Sequence, residues 1–183
     1  IALAAHFATA AETVNLLANP GLETGDLSGW ETLNGYVYAN TGLTHSGNYF
    51  MQMEPYSIWD EEWMFFFENP AEIRTIIDLT PWAAMIDASN VVLRCGGYFC
   101  QCMAQQLCIW VYLLDAKGLW LGYSDFDTSR DGSLDMNDYT LVALTNAVPA
   151  GTRRFEMVYH ATAWPNGGIS PMRGDDFFVH LSC

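Results

Sequence analysis

Polar and apolar residues alternate along several short runs of this chain. In Phe155-Glu156-Met157-Val158-Tyr159-His160, one face carries Phe155, Met157 and Tyr159. In Asn48 to Met53, the residues Tyr49, Met51 and Met53 share a face. A period of two puts one face on a core and the other towards solvent or ligand. Further β-branched and aromatic runs span Val91 to Cys95, Cys108 to Leu114, Thr140 to Leu144 and Phe177 to Leu181. Cys108 to Leu114 is apolar throughout and reads as a central strand covered on both sides. Turn signals separate these runs, among them Asn19-Pro20-Gly21, Asn34-Gly35, Ser46-Gly47-Asn48, Gly96-Gly97, Asp131-Gly132 and Pro149-Ala150-Gly151. Only Trp82 to Ala88 reads as a helix, of one or two turns. Short strands with turns every dozen or so residues predict an antiparallel β-sandwich. No linker, repeat or low-complexity segment interrupts it. Residues 1–14 read as an extended N-terminal arm and residues 15–183 as a single sandwich domain. The arm opens IALAAHFATAAE. It is expected to add to a sheet edge, here or in a neighbouring chain, and Ala8 to Ala11 also has the character of a signal-peptide processing site.

Composition narrows the function. A chain of 183 residues with 51% hydrophobic residues buries a proper core, which excludes global disorder. Seven Lys and Arg against 21 Asp and Glu give a net charge of -14. Such a charge repels phosphate backbones and anionic lipid, so nucleic acid is excluded as a partner class, and no segment is long and apolar enough to span a bilayer. The acidity serves solubility or attracts a cation or a basic partner. Five cysteines, in an oxidising compartment, allow at most two internal bridges and one odd thiol. Cys95 and Cys108 flank a turn and could bridge across a hairpin. Cys100 and Cys102 are too close in sequence to pair easily. Cys183 could reach back or reach a second chain, so a homo- or hetero-oligomer could form through the arm or the odd cysteine. The C-x-C step lacks zinc spacing.

Six motifs occur in an order that resembles one family. Asn19-Pro20-Gly21-Leu22-Glu23 resembles the NPGFE opening of family 4/9-type carbohydrate-binding modules, with Leu22 for the usual Phe. Asp26-Leu27-Ser28-Gly29-Trp30 is similar to the acidic step ending in GW, and His45 to Tyr49 to the small-residue turn after it. Glu72 to Leu79 with Trp82, Val148 to Arg153 (VPAGTR), and the close Asp175-Asp176-Phe177 complete the set. Ile77-Asp78-Leu79 also resembles the F-box-associated, glycan-binding relatives. The resemblance implies an all-β, antiparallel two-sheet jelly-roll β-sandwich of the galactose-binding-domain-like type. It further implies a secreted, extracellular, non-catalytic, lectin-like module with a structural calcium that ties the first strand to the last. Glu23 and Asp175 would supply charge to that ion, with Ser46 and Asn48 nearby. Pro20-Gly21 makes the tight turn that would bring Glu23 inward, where a carboxylate needs a partner. Calcium, which takes about six to eight oxygens, is such a partner. Arg153 is expected to pair with a carboxylate rather than with a ligand.

A second calcium motif competes. Asp127, Asp131, Asp135 and Asp138, with Gly132, follow the outline of an EF-hand loop, but the residues after it favour a strand over the required helix. The ligand candidates are Tyr56, Trp59, Asp60, Glu62, Trp63 and Trp120, because rings stack on pyranose faces while carboxylates bond hydroxyls. No nucleophile elbow is present and no His has a partner at a recognisable spacing, so no catalytic residue is assigned. Two rival readings stand. The surplus of Met and aromatic residues suits a carrier of a long apolar ligand, such as a lipid or a carotenoid chromophore. The third reading is a structural assembly subunit.

Overall fold

A computed structural model describes residues 12–33, 35–39, 43–60, 62, 65–88, 90–102, 104, 106–132, 134–163, 168–169 and 171–183, with backbone alone for 35–39, 59–60, 65–68 and 168–169. Trp63 and residues 1–11 of the arm therefore lie outside the described residues. Among the described residues the chain forms two five-stranded sheets and one three-stranded sheet, with every strand pairing antiparallel. The front sheet runs β1 (Glu31–Leu33), β6 (Ala71–Asp78), β11 (Arg154–Thr162), β8 (Gln106–Leu114) and β9 (Trp120–Asp127). The back sheet runs β10 (Thr140–Ala147), β7 (Val92–Cys100), β13 (Met172–Ser182), β3 (Tyr49–Met53) and β2 (Gly35–Ala39). The small sheet holds β12 (Gly168–Ile169), β4 (Tyr56–Asp60) and β5 (Phe65–Asn69). A 3-10 turn at Thr80–Trp82 leads into helix α1 (Ala83–Ala88), where the sequence predicts its one helix. No helix of the described residues is long and apolar enough to cross a membrane.

The alternation does what its period requires. Phe155, Met157 and Tyr159 are fully buried from the front sheet, and Met51 and Met53 from the back. Four rings lock the two layers: Trp30 lies 4.9 Å from Phe177, and Tyr159 lies 5.2 Å from both Phe99 and Phe177. Burying rings of this size removes enough apolar surface to contribute about 1.5–3 kcal/mol each. The N-terminal residues run along the last strand. Glu12 bridges Ser182, Thr13 N–H donates to the Leu181 carbonyl (2.9 Å), and Leu16 N–H donates to that of Val179 (2.9 Å). The described end of the arm thus adds to a sheet of its own chain. Arg153 pairs with Asp87 (Nη1 to Oδ1, 3.1 Å), as expected.

Three expectations are corrected here. Gly96-Gly97 is no turn; both residues lie inside β7. A Cβ on Gly96 would sit 2.0 Å from the Val142 carbonyl oxygen, and one on Gly97 would sit 2.6 Å from the Phe177 ring. The glycines admit a close neighbouring strand and a core ring. Cys95 and Cys108 do not bridge, because β7 and β8 belong to different sheets and all five cysteines are free thiols. Cys95 faces the core, whereas Cys108 lies opposite Asp127 in the front sheet. Finally, β8 is covered on one side only. Leu107, Ile109, Val111 and Leu113 are buried, while Trp110 and Tyr112 are half-exposed on the outward face. Rings on that face shield one another, so an all-apolar run need not have a second layer over it.

Candidate functional site

The register of the front sheet aligns its outward side chains in rows, since directly opposed residues share a face. One row reads Leu33, Glu72, His160, Cys108 and Asp127. The next reads Glu31, Arg74, Val158, Trp110 and Asp125. A third reads Ile76, Glu156, Tyr112 and Tyr123. A register shift at Leu113–Leu114 brings Trp120 opposite Leu114 at the end of β9. The result is an aromatic patch on β8 and β9 beside a charged patch on β6 and β11.

The rings touch in sequence. Tyr112 lies 5.2 Å from Trp120 and 5.4 Å from Tyr123, and Trp110 stacks on His160 at 4.9 Å. Trp120 is 71% exposed and Tyr123 51%, so an incoming molecule would meet them first. A cleft of about 290 Å³ lies among Arg74, Trp110, Tyr112, Trp120 and Glu156. Burial pushes both phenols above their ordinary value, with the Glu156 carboxylate adding to it at Tyr112 and Asp125 at Tyr123. Arg74 Nε donates to Glu31 at 2.7 Å, and Nη1 lies 3.7 Å from Glu156. His160 Nδ1 bonds Glu72 at 2.8 Å. Arg130 is held between Asp125 (3.0 Å) and Asp131 (2.7 Å). This face therefore offers flat apolar rings beside prearranged donors and acceptors.

Among the described side chains expected from sequence to bind ligand, Trp120 belongs to this patch. Tyr56 is half-buried on β4 of the small sheet, Trp59 and Asp60 lie on the same strand, and Glu62 is exposed in the turn after it. Gln101 is buried and donates to the Ala104 carbonyl at 3.0 Å, so it braces a loop. Sequence reasoning counted Trp110 and Tyr112 only in the aromatic surplus that suits an apolar ligand, and it missed Tyr123, Arg74, Glu72 and Glu156. The signal available was that Trp110 and Tyr112 occupy the even positions of β8, opposite to the face of Ile109 and Val111.

A second cluster joins the two ends of the domain. The Asp175 Oδ2 accepts from the backbone N–H of His45 (2.9 Å) and Ser46 (3.1 Å). Glu23 Oε1 accepts from Asn48 N–H (2.9 Å) and Tyr49 N–H (3.1 Å). Asp176 accepts from Ser46 Oγ at 2.8 Å and meets His45 Nδ1 at 2.7 Å. Glu23, Ser46, Asn48 and Asp175 thus converge on one turn, 45–49. The Gly21 Cα bears no side chain where Asp176 and Glu23 approach; a Cβ there would lie 3.5 Å from Asp176 Oδ1. A bulge between Asp175 and Phe178, with Asp176 in the left-handed region (φ 47°), turns Asp175 inward and Asp176 outward. One expectation is reversed: Glu23 is exposed, and the N–H bonds from Asn48 hold its carboxyl below the ordinary range. Asp175 is the buried member, pushed up to about 6 by burial. The donor set is oxygen-rich and acidic, which is calcium chemistry. In this arrangement, however, the carboxylate oxygens accept N–H bonds, and no group of three or more His, Cys, Asp or Glu side chains is poised to hold a metal among the described residues.

The Asp127–Asp138 segment does not close into a loop around one point. Asp127 caps helix α2 (Thr128–Asp131) through Ser129 N–H, and Asp131 accepts from Asp127 N–H at 2.9 Å. Asp135 accepts from the N–H groups of Asn137 and Asp138 in its own turn. Burial works against ionisation of Asp127, but bonds from Ser129 and Gln106 outweigh it and hold the carboxyl low. Strand β10 follows, in place of the helix an EF-hand needs.

No protein-family model matches this chain, and a search of curated proteins finds no match. Solved structures do match. TmCBM61, determined in complex with β-1,4-galactotriose, superposes with a TM-score of 0.59 at 17% identity over 91% of this chain and 98% of that one. A family 16 carbohydrate-binding module gives 0.54 at 15% identity, over 90% and 99%. The enzymatically active domain of tailspike protein 4 of bacteriophage CBA120 gives 0.62 at 12% identity over 90% of this chain, which spans only 21% of that longer chain. At these identities the likeness establishes the fold: an antiparallel two-sheet jelly-roll β-sandwich, as the sequence predicts.

Proposed function

We propose that this chain is a non-catalytic carbohydrate-binding module whose ligand lies across the outward face of the front sheet. One observation carries the reading: Trp110, Tyr112, Trp120 and Tyr123 form a partly exposed aromatic patch on two adjacent strands, with Arg74, Glu72 and Glu156 next to it. A ring stacks on the C–H face of a pyranose, and charged groups bond its hydroxyls. Five strands at about 4.8 Å spacing make a band roughly 19 Å across, which suits an oligosaccharide rather than a single sugar. The structural likeness to modules of this kind supports the same reading. The interleaved charges favour a polyol over a lipid or carotenoid, and Met51, Met53 and Met157, part of the surplus that suggested an apolar ligand, are core residues. The test is calorimetric titration with a panel of β-1,4-linked galactan, xylan and mannan oligosaccharides. Binding to at least one, lost in Trp120→Ala, is expected; no binding to any sinks the proposal.

The proposal extends to calcium at the clasp of Glu23, Ser46, Asn48, Asp175 and Asp176. Its support is chemical: three carboxylates reach one turn, and burial makes Asp175 costly to ionise without a nearby cation. A bound ion would exchange for some of the N–H bonds. Calcium is expected to raise the midpoint of thermal unfolding, reversibly with chelator. A midpoint indifferent to calcium and chelator overturns this part alone.

A further inference from the structure

We propose that Cys100 and Cys102 are a redox pair that closes into an intrachain disulfide where β7 leaves the back sheet. Their Sγ atoms lie 3.1 Å apart, inside non-bonded contact, and both residues are buried. Sequence spacing argues against such a pair, because alternate residues of a strand are not bridged easily. The obstacle is removed by backbone conformation: Cys102 is left-handed, with φ 49°. A non-glycine residue there is uncommon and is held by its surroundings. The holding residue is Gln101 between the two cysteines. Its N–H donates to the Asp135 carbonyl (3.0 Å), its Nε2 to the Ala104 carbonyl (3.0 Å), and its Oε1 accepts from Leu134 N–H (3.1 Å). The thiols are therefore pre-positioned by a cross-braced loop. Arg173 stands opposite Cys100 on β13, and its Nε has no hydrogen-bond partner among the described residues. That positive charge offsets part of the burial that disfavours the Cys102 thiolate. The other three cysteines lie apart, in the core, on the front sheet and at the exposed end.

The oxidant is a small-molecule disulfide such as oxidised glutathione. One thiol loses its proton and its sulfur attacks the R–S–S–R bond, forming a mixed disulfide and releasing one thiolate. The second thiol loses its proton and displaces the remaining RS group, closing the protein S–S bond. Two protein thiols are oxidised by two electrons, and one small disulfide is reduced to two thiols. Burial holds the Cys102 thiol up at about 12, so closure of the folded chain is slow at neutral pH and faster in alkali.

The experiment uses the full chain in a Cys183→Ser background, which removes the exposed thiol. The folded protein is equilibrated with oxidised and reduced glutathione at alkaline pH. In parallel, reduced and unfolded chain is refolded in the same buffer, which bypasses burial. Both are acid-quenched, alkylated in denaturant and digested for mass spectrometry. The expected result is a fall from four alkylatable thiols to two, with a cystine joining Cys100 to Cys102 that dithiothreitol removes. In Cys100→Ser on this background, Cys102 is expected to appear alkylated or glutathionylated, and no cystine should form. Four alkylatable thiols by both routes, or a cystine joining any other pair, overturns the proposal.

Discussion

Trp110 stacks on His160 with 4.9 Å between ring centroids, and His160 in turn bonds Glu72 at 2.8 Å. The contact couples the aromatic half of the front face to its charged half. It makes Trp110 part of the sheet as well as part of the surface, whereas Trp120 touches only Tyr112 among the described rings and is 71% exposed. The two tryptophans should therefore respond differently. Trp120→Ala is expected to weaken oligosaccharide binding about tenfold, from the loss of one stacking ring of about 1.4 kcal/mol, with an unfolding midpoint within a degree or so of the parent. Trp110→Ala is expected to weaken binding and lower the midpoint as well. Titration calorimetry beside thermal unfolding checks both. A Trp120→Ala protein that binds as tightly as the parent would remove this face from consideration.

Asp175 sets a pH dependence with an unusual sign. Its carboxyl is pushed from 3.8 to about 6 in the fold, first by burial. The folded state then holds a proton that the unfolded state has released, so stability falls as pH rises from about 4 to 6. The shift bounds the effect at roughly 3 kcal/mol. Carboxyls held low, such as Glu23 and Asp87, act the other way and lose their contribution below that window. Asp175→Asn should lack the loss between pH 4 and 6. Calcium, if it binds the clasp, favours ionised Asp175 and turns the slope positive. Urea unfolding from pH 4 to 7, with calcium and with chelator, reads all of this. A parent and an Asp175→Asn variant with parallel pH profiles would contradict the burial argument.

How far the sequence was legible follows from which patterns have one physical meaning. The alternation of Phe155, Met157 and Tyr159 has one, and all three are fully buried. The paired turn motifs at Asn19-Pro20-Gly21 and Asp175-Asp176 do meet, because Phe177 N–H donates to the Pro20 carbonyl at 2.9 Å. Gly96-Gly97 has two meanings, a turn or a close approach within a strand, and only the positions of Val142 and Phe177 decide between them. The run Cys108 to Leu114 is similarly ambiguous, since an aromatic on an outward face looks the same in sequence as one in a core. The site was hard to see for that reason. Its residues come from four strands, β6, β8, β9 and β11, in three separate stretches of the sequence, and the rows across the sheet exist only once the register is known.

The N-terminal segment is joined to the last strand by a side chain acting as backbone. Asn15 Nδ2 donates to the Phe177 carbonyl (2.8 Å), and its Oδ1 accepts from Val179 N–H (3.0 Å), filling one rung of a ladder. Asn15→Ala leaves both groups of β13 without a partner, at a cost of about 2 kcal/mol. Asn15→Asp keeps the acceptor and loses the donor, and it should fall between Ala and the parent. Denaturant unfolding of the three proteins gives the ordering. Equal stability of the Ala variant and the parent would mean that the N-terminal residues do not hold β13.

Alanine scanning of glycines in β7 separates backbone contact from side-chain contact. A Cβ on Gly96 meets the Val142 carbonyl oxygen at 2.0 Å and the Ala143 Cα at 3.0 Å, which are atoms of the neighbouring strand β10. That strand can relieve the clash only by leaving its register, so Gly96→Ala is expected to cost at least about 3 kcal/mol. A Cβ on Gly97 meets the Phe177 ring at 2.6 Å, and a ring can shift a little where a ladder cannot. Gly97→Ala should cost less, about 1–3 kcal/mol, and should disturb Asp175, two residues before that ring. Gly118→Ala provides the control. Nothing lies within 4 Å of its Cβ position, and only its left-handed φ of 81° opposes the change, for about 1–2 kcal/mol. Urea midpoints in the order Gly118→Ala, Gly97→Ala, Gly96→Ala, from most to least stable, are the expected outcome. A Gly96→Ala protein as stable as the Gly118→Ala control would show that β10 does not pair with β7 as described.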